Sequence, residues 1–301
     1  MSLTVVANRV PIRKTDDGWE TSVGGLTTAL LPVLEQQGGV WVGMGEDPDL
    51  PLRQEYPADD PDFVVRRVPL SDAELDGYYY GMANRVLWPV SHYLIQHLEL
   101  NESFLQTYRE VNRRFADAVL EETTDSPDER IWVQDYHQML SPRMIREERP
   151  NATIGQFWHI PWPAMEVFRI LPWSRELLKG MLGCDLIGFH VQEYVDNFIE
   201  SAKVLLGAEV RGNVIRYEGR ETRAEAHPIG IDVDRFKEMA HDDAIRTKAR
   251  EFRERMGTDH IVIGIDRLDY TKGIRSRMLA FEQFLEDNPA YHGNVSFFQI
   301  A

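Results

Sequence analysis

Cysteine is nearly absent from this sequence, and that scarcity excludes one way of stabilising a fold. The 301 residues contain a single cysteine, Cys184. An intramolecular disulfide needs two thiols, so the chain must be stabilised by burial of its apolar residues. Cys184 lies within a short apolar run, residues 183–189, and we interpret it as a small core residue.

Positive charge is also scarce. Lysine and arginine together number 33 against 49 aspartates and glutamates, which gives a formal net charge of −16. Such a chain is repelled by polyanions, so nucleic acid and anionic membrane surfaces are disfavoured as partners. An anionic substrate would need a local basic pocket within this acidic background.

Long apolar runs are missing as well. No stretch approaches the roughly 18 consecutive apolar residues that a membrane-spanning helix needs. The first residues also lack the basic segment followed by an apolar stretch that is typical of a secretory signal. We therefore expect a cytoplasmic protein with no membrane partner.

Two common phosphate-binding fingerprints are absent, namely the Gly-x-Gly-x-x-Gly motif and the Walker loop. A glycine pair, Gly24 and Gly25, instead opens an apolar helical stretch. Without side chains these residues would let a ligand approach bare backbone N–H groups at the positive end of the helix dipole. A simple turn is the alternative interpretation of the pair.

Apolar runs alternate with helical patterns along the chain. Strand-like runs at 131–133, 152–157 and 185–189 alternate with helical segments such as Glu102–Glu122 and Gln192–Leu206. This alternation predicts an α/β fold, a Rossmann-like, mostly parallel sheet with helices on both faces. Ser71 resembles the start of a capping box. We interpret residues 47–62 as a loop and the stretch from Asp16 through Asp17 to Gly18 as a turn or a flexible loop.

Pro228 and Gly230 indicate a crossover between domains. We predict a first domain at residues 1–230, and a linker with the start of a second Rossmann-like domain at residues 231–301. The second part holds one strand–helix–strand unit, whereas such domains usually need about 100 residues. The sequence is therefore expected to be a fragment, with a natural short protein as the alternative.

Polar and aromatic side chains follow several predicted strands. Asp135 and His159 each stand where a strand stops, and Tyr79 and Trp88 offer the aromatic faces that pack on sugars. Each has an ordinary structural alternative: a helix cap for Asp135, a core position for the others. Pro161 follows His159 closely and stiffens the chain there, which favours a functional role for the histidine.

The segment 266–273 carries two cations, Arg267 and Lys272, between the predicted strand His260–Ile265 and a helix that begins near Ile274. Cations beside a helix amino terminus, at the carboxyl end of a strand, favour an anion site for phosphate. Ordinary surface charges are the alternative. A metal site at Asp266 and Asp269 is disfavoured because Arg267 stands between them.

Taken together, these motifs resemble the trehalose-6-phosphate synthase family, retaining glycosyltransferases of the GT-B type, grouped as glycosyltransferase family 20. The matching motifs extend over nearly the whole chain and occur in the same order as in the family. The residues that carry it are Asn8-Arg9, Gly24-Gly25, Tyr78-Tyr79, Leu87-Trp88-Pro89, and the segments 132–137, 159–163, 187–190, 228–231 and 266–273.

The resemblance implies roles for individual residues. Arg267 and Lys272 would hold the diphosphate of a nucleotide-sugar donor, and the N–H groups of Gly24 and Gly25 would lie near it. His159 would sit beside the transferred glucose. The acceptor site would be formed by Arg9, Tyr79, Trp88 and Asp135. The catalytic residues implied are His159, Arg267, Lys272 and Asp135, with no metal and no cofactor.

The implied reaction moves glucose from UDP-, GDP- or ADP-glucose to glucose-6-phosphate and yields trehalose-6-phosphate, a step in compatible-solute synthesis. Ser91 stands where the family usually has an aromatic residue. A glucosylglycerol-phosphate synthase or a related pseudo-glycosyltransferase therefore remains an alternative. A non-catalytic chain that binds sugar phosphate is a second one, because most of the donor domain is missing. A homo-oligomer is compatible with each of these candidate functions.

Overall fold

The chain divides into two units, Met1–Ile229 and Gly230–Ala301. The structure is a computed structural model and describes residues 2–16, 18–22, 24–45, 47 and 49–301. No helix in those ranges is both long enough and apolar enough to cross a membrane.

Strands make up the centre of both units. In chain order they are β1 (Ser2–Arg9), β2 (Ile12–Thr15), β3 (Gly18–Thr21), β4 (Val40–Gly45), β5 (Arg53–Tyr56), β6 (Phe63–Pro69), β7 (Glu129–Gln134), β8 (Thr153–Phe157), β9 (Leu186–Phe189), β10 (Glu209–Arg211), β11 (Val214–Tyr217), β12 (Arg220–Ala226), β13 (His260–Ile265) and β14 (Val295–Ile300).

Helices connect these strands. The α-helices are α1 (Gly25–Gln37), α2 (Asp72–Leu75), α3 (Trp88–Ser91), α4 (Glu102–Glu122), α5 (Ser141–Glu148), α6 (Met165–Phe168), α7 (Ser174–Met181), α8 (Gln192–Leu206), α9 (Val233–His241), α10 (Asp243–Met256) and α11 (Ile274–Asp287). A π-helix spans Asp76–Leu87, and 3₁₀ turns span Ile95–His97, Tyr136–Gln138, Tyr270–Lys272 and Pro289–Tyr291.

The first unit is built on one sheet of ten described strands, in the order β10-β11-β12-β9-β8-β7-β1-β4-β6-β5. Every pairing from β12 across to β6 is parallel, and only the two flanks are antiparallel. The prediction of a mostly parallel α/β sheet is confirmed. The strands of its centre are apolar because helices cover the sheet.

The order of the strands reverses between β1 and β7. After β1 the chain adds β4 and β6 on one side, and after β7 it adds β8, β9 and β12 on the other side. The connections that leave β1 and β7 therefore diverge and open a crevice at the carboxyl ends of these two strands. Ligands of open α/β sheets bind at such a reversal point. Arg9 ends β1, and Asp135 directly follows β7.

Helix α4 supports the residues that follow β7. Phe104, Tyr108, Val111 and Phe115 recur at helical spacing and are buried, as the sequence predicts for this segment. The Tyr108 hydroxyl donates to the carbonyl of Tyr136 at 2.7 Å and accepts from the N–H of Met139 at 2.9 Å. The helix thus holds the backbone of the turn after β7.

The capping box predicted at Ser71 is confirmed. The Ser71 hydroxyl accepts from the N–H of Glu74, and the Glu74 carboxylate accepts from the N–H of Ser71. The sequence did not predict that the helix continues as the π-helix. This helix packs closely on α4, because a Cβ added at Gly81 would lie 2.5 Å from the ring of Phe104. The wider π turn is often associated with functional sites.

Two short polar segments contain strands that the sequence did not predict. Strand β5 lies within residues 47–62, which we expected to form a loop. β2 and β3 form an antiparallel hairpin around the predicted turn, of which Asp17 lies outside the described residues. Residues of these strands are mostly exposed or half-buried, so they lack the apolar runs by which strands are recognised.

The second unit contains the predicted strand–helix–strand segment. Strands β13 and β14 pair in parallel, and α11 connects them. Arg277 of α11 forms an ion pair with Asp266 at 2.6 Å, directly after β13. Asp269 accepts a hydrogen bond from the N–H of Thr271 at 2.8 Å. These contacts fix the turn that carries the two cations.

Asn112 provides a direct test of how the turn after β7 is supported. Its buried amide donates to the carbonyls of Tyr108 and His137 and accepts from the N–H groups of Leu140 and Ser141, all at 3.0–3.1 Å. Asn112→Ala leaves these groups without partners, so we expect the free energy of unfolding to fall by roughly 2–4 kcal/mol. Urea denaturation measures this change.

Gln106→Ala is the matched control. Gln106 lies on the same helix and is exposed, and among the described residues its side chain bonds only side chains of its own helix, Arg109 and Glu110. We expect its effect to stay within about 0.5 kcal/mol. Equal stability of the Asn112 and Gln106 variants would contradict the support that we assign to Asn112.

Candidate active site

Asp135 begins a turn of three residues, Asp135 to His137, at the reversal point of the sheet. Its backbone has φ +66°, in the left-handed region that only a few per cent of non-glycine residues adopt. Its N–H donates to the carbonyl of Phe157 at 2.7 Å, and its carboxylate accepts from the N–H of His159 at 3.1 Å. The carboxylate does not cap the 3₁₀ turn that follows. The cap interpretation is therefore wrong, and Asp135 bridges the ends of β7 and β8 instead.

Three predicted or neighbouring side chains form a stack above this turn. The guanidinium carbon of Arg9 lies 5.7 Å from the centroid of the Tyr79 ring. The Tyr79 ring is stacked on His137, with centroids 5.8 Å apart and planes inclined by 11°. The structure thus brings the predicted acceptor residues Arg9 and Tyr79 together, and it adds His137, which the sequence analysis left out.

Trp88 contacts the same turn through Tyr136, the middle residue of the turn. Its ring lies 5.9 Å from the ring of Tyr136, centroid to centroid, and 4.1 Å from that of His92. Trp88 and Tyr79 are half-buried, so part of each residue is accessible to solvent. Aromatic faces pack well on the C–H surfaces of a sugar.

His159 lies at the end of β8, beside a second part of the site. Its Nε2–H donates to Oε1 of Gln134 at 2.9 Å, because a carbonyl oxygen can only accept. His159 and Gln134 line a cavity of about 220 Å³, together with Leu26 in the first turn of α1. The histidine therefore faces the helix that the glycine pair opens.

The predicted helix after Gly24 and Gly25 is confirmed, since α1 begins at Gly25. The first N–H groups of a helix have no partner within it. A Cβ built on either glycine would meet nothing within 4 Å, so the space beside the Cα atoms of both glycines is open. The first turn contains no acidic residue that would compete with an anionic ligand.

Burial changes the charge of the groups around the turn. It raises the pKa of the Asp135 carboxyl to about 7, although the N–H groups of His159 and Tyr136 act in the opposite direction. Burial and the neighbouring His190 lower the pKa of His159 to about 4. Burial and Arg9 lower the pKa of His137 to about 3. Both histidines are therefore neutral at pH 7.

Arg267 and Lys272 belong to the second unit. They lie between β13 and α11, at the carboxyl end of the strand and before the helix, as the sequence predicts. Both side chains are exposed, and Arg267 lies 3.9 Å from the Asp269 carboxylate. Within the described ranges, no group of three or more His, Cys, Asp or Glu side chains is placed to hold a metal ion.

Sequence reasoning missed Gln134 and His137 as parts of the site. Gln134 fixes the ring of His159, and both ring nitrogens of His137 are buried with no hydrogen-bond partner among the described residues. The sequence signal that could have identified them is their position, because each lies within two residues of Asp135. In the sequence, no chemistry distinguishes His137 from a structural core histidine.

Comparison with known proteins identifies the family. The sequence model of glycosyltransferase family 20 matches residues 1–301. The chain belongs to glycosyltransferase family 20. Among the members similar to it, the trehalose-6-phosphate synthase of Mycolicibacterium gilvum is 40% identical over 301 residues, 94% of this chain and 59% of that protein. The UDP-forming alpha,alpha-trehalose-phosphate synthase of Candida albicans is 36% identical over 99% of this chain and 64% of its own length.

Solved structures of the same family share the fold. The trehalose-6-phosphate synthase OtsA matches all of this chain with a TM-score of 0.88 and 30% identity, over 65% of its own length. A Burkholderia xenovorans synthase in complex with glucose-6-phosphate matches 99% of the chain with a TM-score of 0.82 and 29% identity. The chain spans between 59% and 65% of the length of these four family members.

The raised pKa of Asp135 predicts a specific pH dependence of stability. In the unfolded chain an aspartate ionises near pH 3.9, whereas in the fold Asp135 keeps its proton up to about pH 7. Its contribution is therefore fully present below pH 4 and is lost as the pH rises to 7. Asp135→Asn keeps the shape and cannot ionise, so it should become more stable relative to the wild type across this window.

The two depressed histidines act in the opposite direction, since their contribution is lost as the pH falls. The informative quantity is therefore the difference in unfolding free energy between Asp135→Asn and the wild type, measured by denaturation at pH 4, 5.5 and 7.5. A difference that does not change with pH would contradict the raised pKa.

Proposed function

We propose that the whole protein is a retaining glycosyltransferase that moves glucose from a nucleotide sugar to glucose-6-phosphate and forms trehalose-6-phosphate. Family membership supports this function, because the similar members are named trehalose-6-phosphate synthases. The nucleotide sugar is a substrate, and the reaction as proposed uses no metal or other cofactor. The observation that carries the proposal is the clustering of the acceptor candidates on the turn after β7.

We assign the acceptor to this turn. Arg9 supplies a cation for the acceptor's phosphate, with the Tyr79 ring beneath it. The half-buried ring of Trp88 offers a face for the sugar. Asp135 is partly ionised at neutral pH and can accept hydrogen bonds from sugar hydroxyls, since its pKa lies near 7.

We assign the transferred glucose to the space beside His159. A neutral imidazole that donates through Nε2 to Gln134 keeps Nδ1 as an acceptor for a hydroxyl group. Gly24 and Gly25 offer backbone N–H groups to the donor's diphosphate, and Arg267 and Lys272 hold the same group. The acceptor attacks on the face from which the leaving group departs, and the leaving phosphate takes the acceptor's proton. Cations that stabilise the charge on this phosphate then provide the main catalytic effect.

Turnover of the full-length protein tests the function. UDP-, GDP- and ADP-glucose would each be incubated with glucose-6-phosphate or glycerol-3-phosphate, and release of nucleoside diphosphate would be followed. We expect release with glucose-6-phosphate as acceptor. Turnover with glycerol-3-phosphate alone would support a glucosylglycerol-phosphate synthase, an alternative favoured by the small buried Ser91 in α3.

Arg267→Ala tests the role of the cations. Charge on the leaving phosphate grows in the transition state, so the variant should lower kcat of the full-length protein by about 10²–10³-fold, not merely raise KM. Arg267→Lys should recover only part of the loss, because an ammonium group lacks the two-pronged geometry of a guanidinium. Arg275→Ala, on the exposed side of α11, is the matched control. A normal kcat and normal thermal stability for Arg267→Ala would exclude this role.

A non-catalytic sugar-phosphate-binding chain is the candidate of another class. It is favoured by the position of Arg9, Tyr79 and Asp135, all within the first unit. Titration with glucose-6-phosphate, together with the turnover assay, separates the two. Saturable binding that Arg9→Ala abolishes, without turnover of the full-length protein under any donor, would support the binding function.

A further inference from the structure

A second cavity in the first unit is lined by Arg9. It has a volume of about 310 Å³, near the lower end of the range for small-ligand pockets. None of Tyr79, Trp88, Asp135 or His159 lines it. Among the described residues, the charged side chains that line it belong to Arg9, Arg13, Lys14, Asp47 and Arg67.

Arg67 distinguishes this cavity from an ordinary basic surface. Its side chain is only 2% exposed, although it carries a full positive charge. Nη1 donates to the carbonyl of Pro51 at 2.9 Å, and the guanidinium lies 5.6 Å from the ring of Trp19. Nη2 is buried and has no hydrogen-bond partner among the described residues. A buried cation with an unmet donor destabilises the fold unless an anion approaches it.

Among the residues that the structure describes, the neighbouring charges leave the cavity positive. Arg13 forms an ion pair with Glu20 at 3.1 Å, which neutralises one cation. Asp47 opposes part of the charge of Arg67, whose pKa is lowered by burial and raised by this carboxylate. Lys14 adds a further positive charge on the same walls, which Arg9 also lines. The chain as a whole is strongly acidic, so this local excess is the kind of basic pocket that an anion requires.

We propose that this cavity binds a phosphate group, with the buried guanidinium of Arg67 as its main hydrogen-bond donor and Lys14 as a peripheral cation. A phosphate offers several strong acceptor oxygens and matches the planar fork of arginine. The group comes either from a free phosphate ion or from the phosphate of a sugar phosphate. The inference goes beyond the proposed function, since phosphate binding is measured without turnover. Only the second source depends on that function.

Calorimetric titration with inorganic phosphate tests the site on the full-length protein. Arg67→Gln should weaken binding at least tenfold, the effect of losing a charged hydrogen bond, and Lys14→Gln should weaken it about threefold. Arg66→Gln and Lys203→Gln are the matched controls and should bind within twofold of the wild type. Arg66 lies next to Arg67 on β6 but pairs with Glu121, and Lys203 is an exposed cation of α8 that pairs with Glu200.

Folding of each variant is checked by circular dichroism. If Arg67→Gln does not fold, the exposed Lys14 and Lys203 variants decide the question. The proposal is overturned if the wild type shows no saturable phosphate binding, or if the folded Arg67 variant binds like the wild type. Where Arg67→Gln does not fold, the proposal is overturned if Lys14→Gln and Lys203→Gln bind phosphate with equal affinity.

A second titration identifies the source of the phosphate group. If the cavity takes the phosphate of glucose-6-phosphate, Arg67→Gln weakens both ligands and inorganic phosphate competes with the sugar phosphate. If the cavity takes a free phosphate ion, inorganic phosphate and glucose-6-phosphate bind at the same time. Arg67→Gln then weakens the binding of inorganic phosphate alone. Both results support the cavity as a phosphate site. Absence of turnover alone would count against the proposed function and not against this site.

Discussion

The site depends on one contact across two neighbouring strands, the hydrogen bond from the N–H of His159 to the carboxylate of Asp135. It joins the ends of β7 and β8, beside the point between β1 and β7 where the strand order reverses, and it accompanies the left-handed backbone of Asp135. Strain of this kind persists only where the surroundings enforce it, and it is concentrated at functional sites. Asn112 and Tyr108 supply that enforcement from α4. The turn is thereby held in the position from which its three side chains reach the other site residues.

Charge is distributed unevenly over this acidic chain. The sites that we assign to phosphate groups lie at helix starts, strand ends or buried arginines, where N–H groups and guanidinium groups are already oriented. The sugar-facing side is neutral or weakly charged at pH 7, because burial lowers the pKa of His137 and His159 and raises that of Asp135. Sugar hydroxyls would therefore meet neutral hydrogen-bonding groups, while phosphates meet cations.

The main sheet and the long helices could be predicted from the sequence, because apolar periodicity records which faces are buried. The bounds of α4 and α8 agree with their prediction for that reason. The hairpin of β2 and β3 could not be predicted, since its polar strands are recognisable only by their pairing. Arg67 and His137 were missed for a similar reason. Their significance lies in buried nitrogen atoms that have no hydrogen-bond partner among the described residues, and this burial depends on residues distant in sequence.

A crystal structure with bound glucose-6-phosphate tests the central claim most directly, namely that the turn after β7 is the acceptor site. The account predicts the phosphate within hydrogen-bonding distance of Arg9, and the sugar ring between Trp88 and the carboxylate of Asp135. Glucose-6-phosphate bound away from Asp135 and Trp88, with the turn empty, would contradict it.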